Sequence, residues 1–194
     1  MRFDTTWVVN MYGGMARQRK MTVDTMMMIA CHEIGHHVGG FPRSAWASGE
    51  GQADYYGGLK CLRKVWANED NIAVVSKMSV PSSVNQKCLA QFTRESDAAL
   101  CKRIAMAGQS LTILLADLHR EGAPNFETPS KTVVSSIELG LNPLQCRLDT
   151  IYAASICNVD PDLEVSDTDP HQGVCSRKLG TSLGARPLCW YKEK

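Results

Sequence analysis

Residues 32–36 read His-Glu-Ile-Gly-His, and this spacing limits the possible folds more than any other stretch of the chain. Two histidines four apart come within reach of one ion on an α-helix, which turns once in about 3.6 residues, whereas on a strand they would share a face but stand about 13 Å apart. The surrounding residues predict such a helix from Val23 to Val38. Thr22 is a good N-cap, the run contains no proline, and Gly39-Gly40 ends it. His32 and His36 then lie one turn apart on one face, where a single cation can take both rings. Glu33 flanks that position without being required to bind there, so it can take a proton from a water activated beside it.

A cation held for chemistry needs a third protein ligand. In the metzincin pattern, HExxHxxGxxH, a third histidine falls ten residues after the first. Gly39 fits the glycine, but Pro42 fills the tenth position and has no donor atom. Glu50-Gly51-Gln52-Ala53-Asp54 offers another solution, after a loop over 41–48 that is long enough to turn the chain back. Glu50 and Asp54 share a face of a second predicted helix, from about Gly49 to Trp66, in which Gly51, Gly57 and Gly58 permit close packing. Glu50 completes the ligand set, and Asp54 accepts the other ring proton of a ligating histidine, His32. Three protein ligands leave one position open, as in catalytic rather than structural zinc. Cys31 and His37 lie around the helix from this face and are expected to point elsewhere.

The pair HEIGH at 32–36 and EGQAD at 50–54 resembles the gluzincin metallopeptidases, whose pattern is HExxH followed by ExxxD. In its short spacing and the Ala-Asp of GQADYY it is similar to bacterial zinc peptidases related to the prenyl-protein endopeptidases. The likeness runs from Val23 to about Lys60. It implies a zincin-like fold, Zn²⁺ as cofactor, hydrolysis of a peptide or protein substrate, Glu33 as general base and Asp54 as the acceptor behind the ligands. Such relatives carry a downstream His-Pro segment followed by arginine. Here Asn142-Pro143-Leu144-Gln145-Cys146-Arg147 has asparagine in place of that histidine. The group that stabilises the oxyanion is therefore open among Tyr55, Tyr56, His119, Arg147 and His171, the last in a polar loop. Two other functions stay open: a zinc-stabilised binding domain without turnover, and a zinc amidase acting on a non-protein amide.

Eight cysteines with no CxxC pair predict disulfides, and with them an oxidising compartment, secreted or periplasmic. Cys146 and Cys157 fall on one predicted helix, Pro143 to Cys157, about 16 Å apart along its axis. That is too far for a bridge, so each is expected to reach Cys175 or Cys189 and pin the loop-like stretch from Asn158 onward.

The remaining pattern predicts one domain over 1–194, α+β but mostly helical. Thr6 to Tyr12 reads as a strand of a small N-terminal sheet, with Trp7 to Gly14 as an edge able to align an extended peptide. Helices are predicted from Pro81-Ser82 through Phe92, over Glu95 to Arg120, over Thr132 to Leu139 and over Pro143 to Cys157. The nine methionines, including Met26 to Met28, read as core filler. A net charge of +1 offers no basic field to nucleic acid and no polybasic run to a membrane. The longest apolar runs, such as Leu111 to Ala116, fall short of the roughly 20 residues that span a bilayer. Met1 to Asp4 has no leader-like character, and nothing in the pattern sets an oligomeric state.

Overall fold

The computed structural model describes residues 2–3 and 6–193. Two strands, β1 (Arg2–Phe3) and β2 (Thr6–Trp7), form an antiparallel ladder of two residue pairs, Arg2 with Trp7 and Phe3 with Thr6. A short turn of helix, α1 (Gly13–Ala16), precedes α2 (Val23–Val38). Next come α3 (Glu50–Tyr56), a π turn over Gly57–Cys61 and α4 (Leu62–Val65). Four more helices follow: α5 (Asn71–Val75), α6 (Ser82–Gln91), α7 (Glu95–His119) and α8 (Leu144–Ile156).

The predicted start of α2 holds in atomic detail. The Thr22 side chain accepts a hydrogen bond from the Thr25 amide at 3.0 Å, and the helix closes at Gly39. The expected helix from Gly49 to Trp66 is one helical path widened by the π turn. Its contact with α2 is backbone on backbone: a Cβ on Gly35 would stand 2.7 Å from the Ala53 carbonyl oxygen. Only glycine lets α2 and α3 approach this closely, and that approach sets the spacing of their facing side chains.

Helix α7 is the central element, with Ile104, Ala107, Leu111 and Leu114 buried. By length and composition alone it is apolar enough to cross a membrane, although no single run within it predicts a span. Most of that apolar stretch is buried inside the protein, so its hydrophobicity is used in the core. Ile104 and Leu111 share a cluster with Met28 and Cys31 of α2 and Ile151 of α8, so α2 and α8 flank the central helix.

Four disulfides join Cys31 to Cys61, Cys88 to Cys101, Cys146 to Cys189 and Cys157 to Cys175. Cys146 of α8 and Cys157 just after its end both reach the tail, as their separation along the helix requires. Trp190 and Tyr191 are buried there, and the Trp190 indole donates to Thr150 Oγ1 at 2.9 Å. The Cys31–Cys61 bridge staples α2 to the π turn that continues α3. Four bridges and no free cysteine suit an oxidising compartment.

Several expectations fail for identifiable reasons. The strand predicted over Thr6 to Tyr12 pairs only at Thr6–Trp7, because among the described residues no second strand lies beside the rest; the fold is mostly helical rather than α+β. Residues 132–139 are not a helix. The Val134 amide donates to the Leu188 carbonyl, the Glu138 amide to Trp190, and the Leu139 carbonyl accepts from the Glu50 amide. Those groups are committed to distant segments and cannot close helical turns. Among the described methionines only Met28 is fully buried, while Met11 is 40% exposed.

Candidate metal centre

Helix α2 presents His32 and His36 on one face, and Glu50 projects toward them from the first turn of α3. His32 Nε2 lies 3.1 Å from His36 Nε2 and 3.4 Å from Glu50 Oε2, and His36 Nε2 lies 3.5 Å from Glu50 Oε1. All three ligand atoms fall within 4.8 Å of one another, so the group could hold a metal ion.

The far side of each imidazole is tied down. His32 Nδ1 donates to Asp54 Oδ1 at 2.7 Å, and His36 Nδ1 donates to the Ser48 carbonyl at 2.9 Å. Each bond selects the tautomer that turns Nε2 toward the shared point. Asp54, fully buried, also accepts two hydrogen bonds at 2.8 Å from Arg147 of α8, one each from Nε and Nη2. A buried line of groups therefore runs from α8 through α3 to α2.

Electrostatics follow this line. Burial alone would raise the Asp54 pKa, but Arg147 and His32 outweigh it and hold the carboxyl far below its ordinary range. Burial alone would lower the Arg147 pKa, and Asp54 reverses that, so the guanidinium stays charged. Desolvation likewise opposes charge on His32, yet Asp54 and then Glu50 raise its pKa to about 9. For Glu50, burial opposes ionisation, but His32, His36 and Arg147 together hold it below its usual value.

These shifts give a sign for metal binding. Without a cation, the 3.1 Å contact between the two Nε2 atoms requires one shared proton, which a cation must displace. Affinity is expected to rise about tenfold per pH unit from about 6.5 to 9 and then level off. Competition against a chromophoric chelator across that range measures it, and a flat profile contradicts it. The metal-free fold follows the opposite trend. Its stabilisation by protonated His32 is complete below about 6.5 and is lost as pH rises through about 9.

A cavity of about 140 Å³ opens beside the ligands, with His32, Glu33 and Arg147 on its wall. Glu33 makes no hydrogen bond or ion pair among the described residues. Of the five residues considered for the oxyanion, only Arg147 lines this cavity. Tyr55 is buried and donates to the Gly184 carbonyl at 2.6 Å; burial pushes its phenol up to about 12. Tyr56 is half-buried at the end of α3, its pKa raised by burial and then by Glu164. His119 is exposed at the end of α7, 4.0 Å from Glu121. His171 pairs with Ser176 Oγ at 2.7 Å and stands 3.5 Å from Glu193, within the tail.

His37 turns away, donating to the Val8 carbonyl at 3.4 Å beside the Trp7 ring. Cys31 is committed to its disulfide. The Ser48 carbonyl escaped the sequence reading, because a backbone acceptor leaves no mark in residue type. The Asp54–Arg147 pair had a usable signal: Arg147 lies among Leu144, Leu148 and Ile151 on a helix, where a buried cation demands a carboxylate. Just before α8, Asn142 Nδ2 is buried without a hydrogen-bond partner among the described residues. Its segment is pinned to α3 on both sides, by the Leu139–Glu50 bond and by the Arg147–Asp54 pair. No family model, curated protein or solved structure matches the chain.

Proposed function

We propose that the protein is a zinc-dependent metallopeptidase of the gluzincin type, secreted or periplasmic, in which His32, His36 and Glu50 hold the metal. The observation carrying this reading is the convergence of three ligand atoms from α2 and α3 within 4.8 Å, next to Glu33, whose carboxylate makes no hydrogen bond or ion pair among the described residues. Two imidazoles and one carboxylate suit zinc, and three ligands leave a position for a water or substrate. The likeness of HEIGH and EGQAD to the gluzincin pattern supports the same reading, as do the four disulfides for the compartment.

When bound, zinc supplies Lewis acidity that lowers the pKa of a water and polarises a carbonyl. Glu33 takes the proton of the attacking water and passes it to the leaving amine. Asp54 holds His32 in the required tautomer and is itself held by Arg147. The Arg147 guanidinium, with Nη1 outside its pair with Asp54, supplies positive charge to the cavity where the carbonyl oxygen becomes negative.

The test is a mixed peptide library incubated with zinc-loaded and with chelated protein, and the products read by mass spectrometry. Cleavage is expected only with metal and is expected to return when zinc is restored. Loaded protein that carries one zinc and cleaves no member of the library would sink the peptidase reading in favour of a zinc-stabilised binding domain.

A further inference from the structure

We propose a second binding site, for a small carboxylate with an aromatic or branched apolar body, in a cavity of about 510 Å³ between α4, the start of α7 and residues 158–161. Neither the candidate metal ligands nor Glu33 line it, so the site is independent of peptide hydrolysis. Arg63 of α4 is its anchoring group. This side chain is nine-tenths buried, and its Nη2 donates to the carbonyls of Ala154, Ser155 and Cys157, which closes the C-terminal end of α8. That role occupies one nitrogen of three. Arg63 lines the cavity, and its Nε and Nη1 make no hydrogen bond among the described residues. A guanidinium carries five N–H donors, so three are left for a group that enters.

No carboxylate neutralises this cation. Buried Arg103 pairs with Asp24 at 2.9 Å and with Glu69 at 2.6 Å, and buried Arg147 pairs with Asp54 at 2.8 Å. Among the described residues no acid stands within ion-pairing distance of Arg63. Asp97, on the cavity wall, is paired with Arg94 at 2.8 Å and acts on Arg63 only from a distance. Lys60, one turn earlier, is also buried, and its ammonium donates to the Asp160 carbonyl at 2.6 Å. Two buried cations thus stand a turn apart without an anion bonded to either. Burial lowers the pKa of both, Arg63 to about 10 and Lys60 to about 8, and Arg63 adds to the shift of Lys60. An entering carboxylate would supply the missing charge.

The remaining wall sets the character of the ligand's body. Phe92 covers the guanidinium, its ring centre 5.3 Å from Cζ, and half-buried Leu100, Val159 and Pro161 extend the apolar lining. Apolar walls around one fixed polar group are usual for small-molecule sites, as is a volume between about 300 and 1,000 Å³. Asp97 and Asp160, also on the wall, repel a second negative charge, which favours a single carboxylate over phosphate.

The test is a titration of phenylacetate into the protein, with and without zinc, followed by NMR at the Arg63 Nε resonance. Saturation is expected with a Kd of about 1 mM or tighter. Phenylacetamide, which lacks the charge, should bind at least about tenfold more weakly, and inorganic phosphate should also bind more weakly. The affinity for phenylacetate should be the same with and without zinc. Ala67→Trp, at an exposed position on the rim, should close the cavity and abolish binding without disturbing the core. Arg63→Met should abolish it too, and Ala67→Trp decides the matter if loss of the α8 cap unfolds that variant. N-acetyl-alanyl-phenylalanine separates two sources of the same chemistry: tighter binding than phenylacetate assigns the site to a peptide C-terminus, weaker binding to a free acid. No shift at Arg63 Nε up to about 10 mM phenylacetate would overturn the site. So would equal affinity for the amide or for phosphate, undiminished binding by Ala67→Trp, or binding that requires zinc, which would put the carboxylate on the metal.

Discussion

Replacing Glu33 by Gln is expected to lower peptide hydrolysis by about 10²- to 10⁴-fold while the protein keeps its zinc and its thermal stability. Removing the carboxylate removes the one group on the cavity wall beside the ligands that, among the described residues, can take a proton and makes no hydrogen bond. The amide has nearly the same shape and leaves His32, His36 and Glu50 untouched. Glu33 makes no hydrogen bond or ion pair among the described residues, so the exchange breaks none there and removes only a charge that acts on Arg147 and His37 from a distance. Steady-state kinetics together with metal analysis of the same preparation check the result. Unchanged activity would show that the proton leaves by another route and would remove Glu33 from the mechanism. A loss of zinc equal to the loss of activity would make it a ligand rather than a base.

Asp54→Ala is expected to be the most damaging single change for stability. Asp54 is fully buried and accepts from His32 and twice from Arg147, so its loss strands a buried guanidinium. Breaking one partner of a buried ion pair costs about 3–5 kcal/mol. For a chain of this size that lowers Tm by roughly 6–20 °C. His32 would also lose the bond that fixes its tautomer, and metal affinity should drop about 10- to 100-fold. Chemical denaturation and metal competition measure the two effects separately. Adding Arg147→Met to Asp54→Ala should recover most of the stability, since no unpaired cation remains, but none of the metal affinity. If the double variant recovers both, Asp54 serves the fold alone.

The helices carrying the site were legible because their cues are local. Thr22 caps α2, Pro81 and Pro143 precede α6 and α8, and the apolar stripe of α7 follows the helical period. Residues 6–12 and 132–139 misled for a common reason. Each has an intrinsic preference that only a partner can satisfy or override, and the partners are remote in sequence. The first lacks a strand to pair with, and the second gives its backbone to Leu188, Trp190 and Glu50. The five donor candidates could not be ranked from the chain alone, since whether a side chain faces the cavity depends on how α8 and the tail pack.

The facing of His32 with His36, and of Glu50 with Asp54, is settled within single helices. Hydrogen bonding between residues four apart sets that period regardless of what surrounds it. The meeting of the two pairs, the burial of Arg147 against Asp54 and the apolar walls beside Glu33 depend on segments up to a hundred residues apart. These arise only when Gly35 lets α2 and α3 touch and α7 and α8 close over them, because packing forces act through space and leave no periodic trace along the chain.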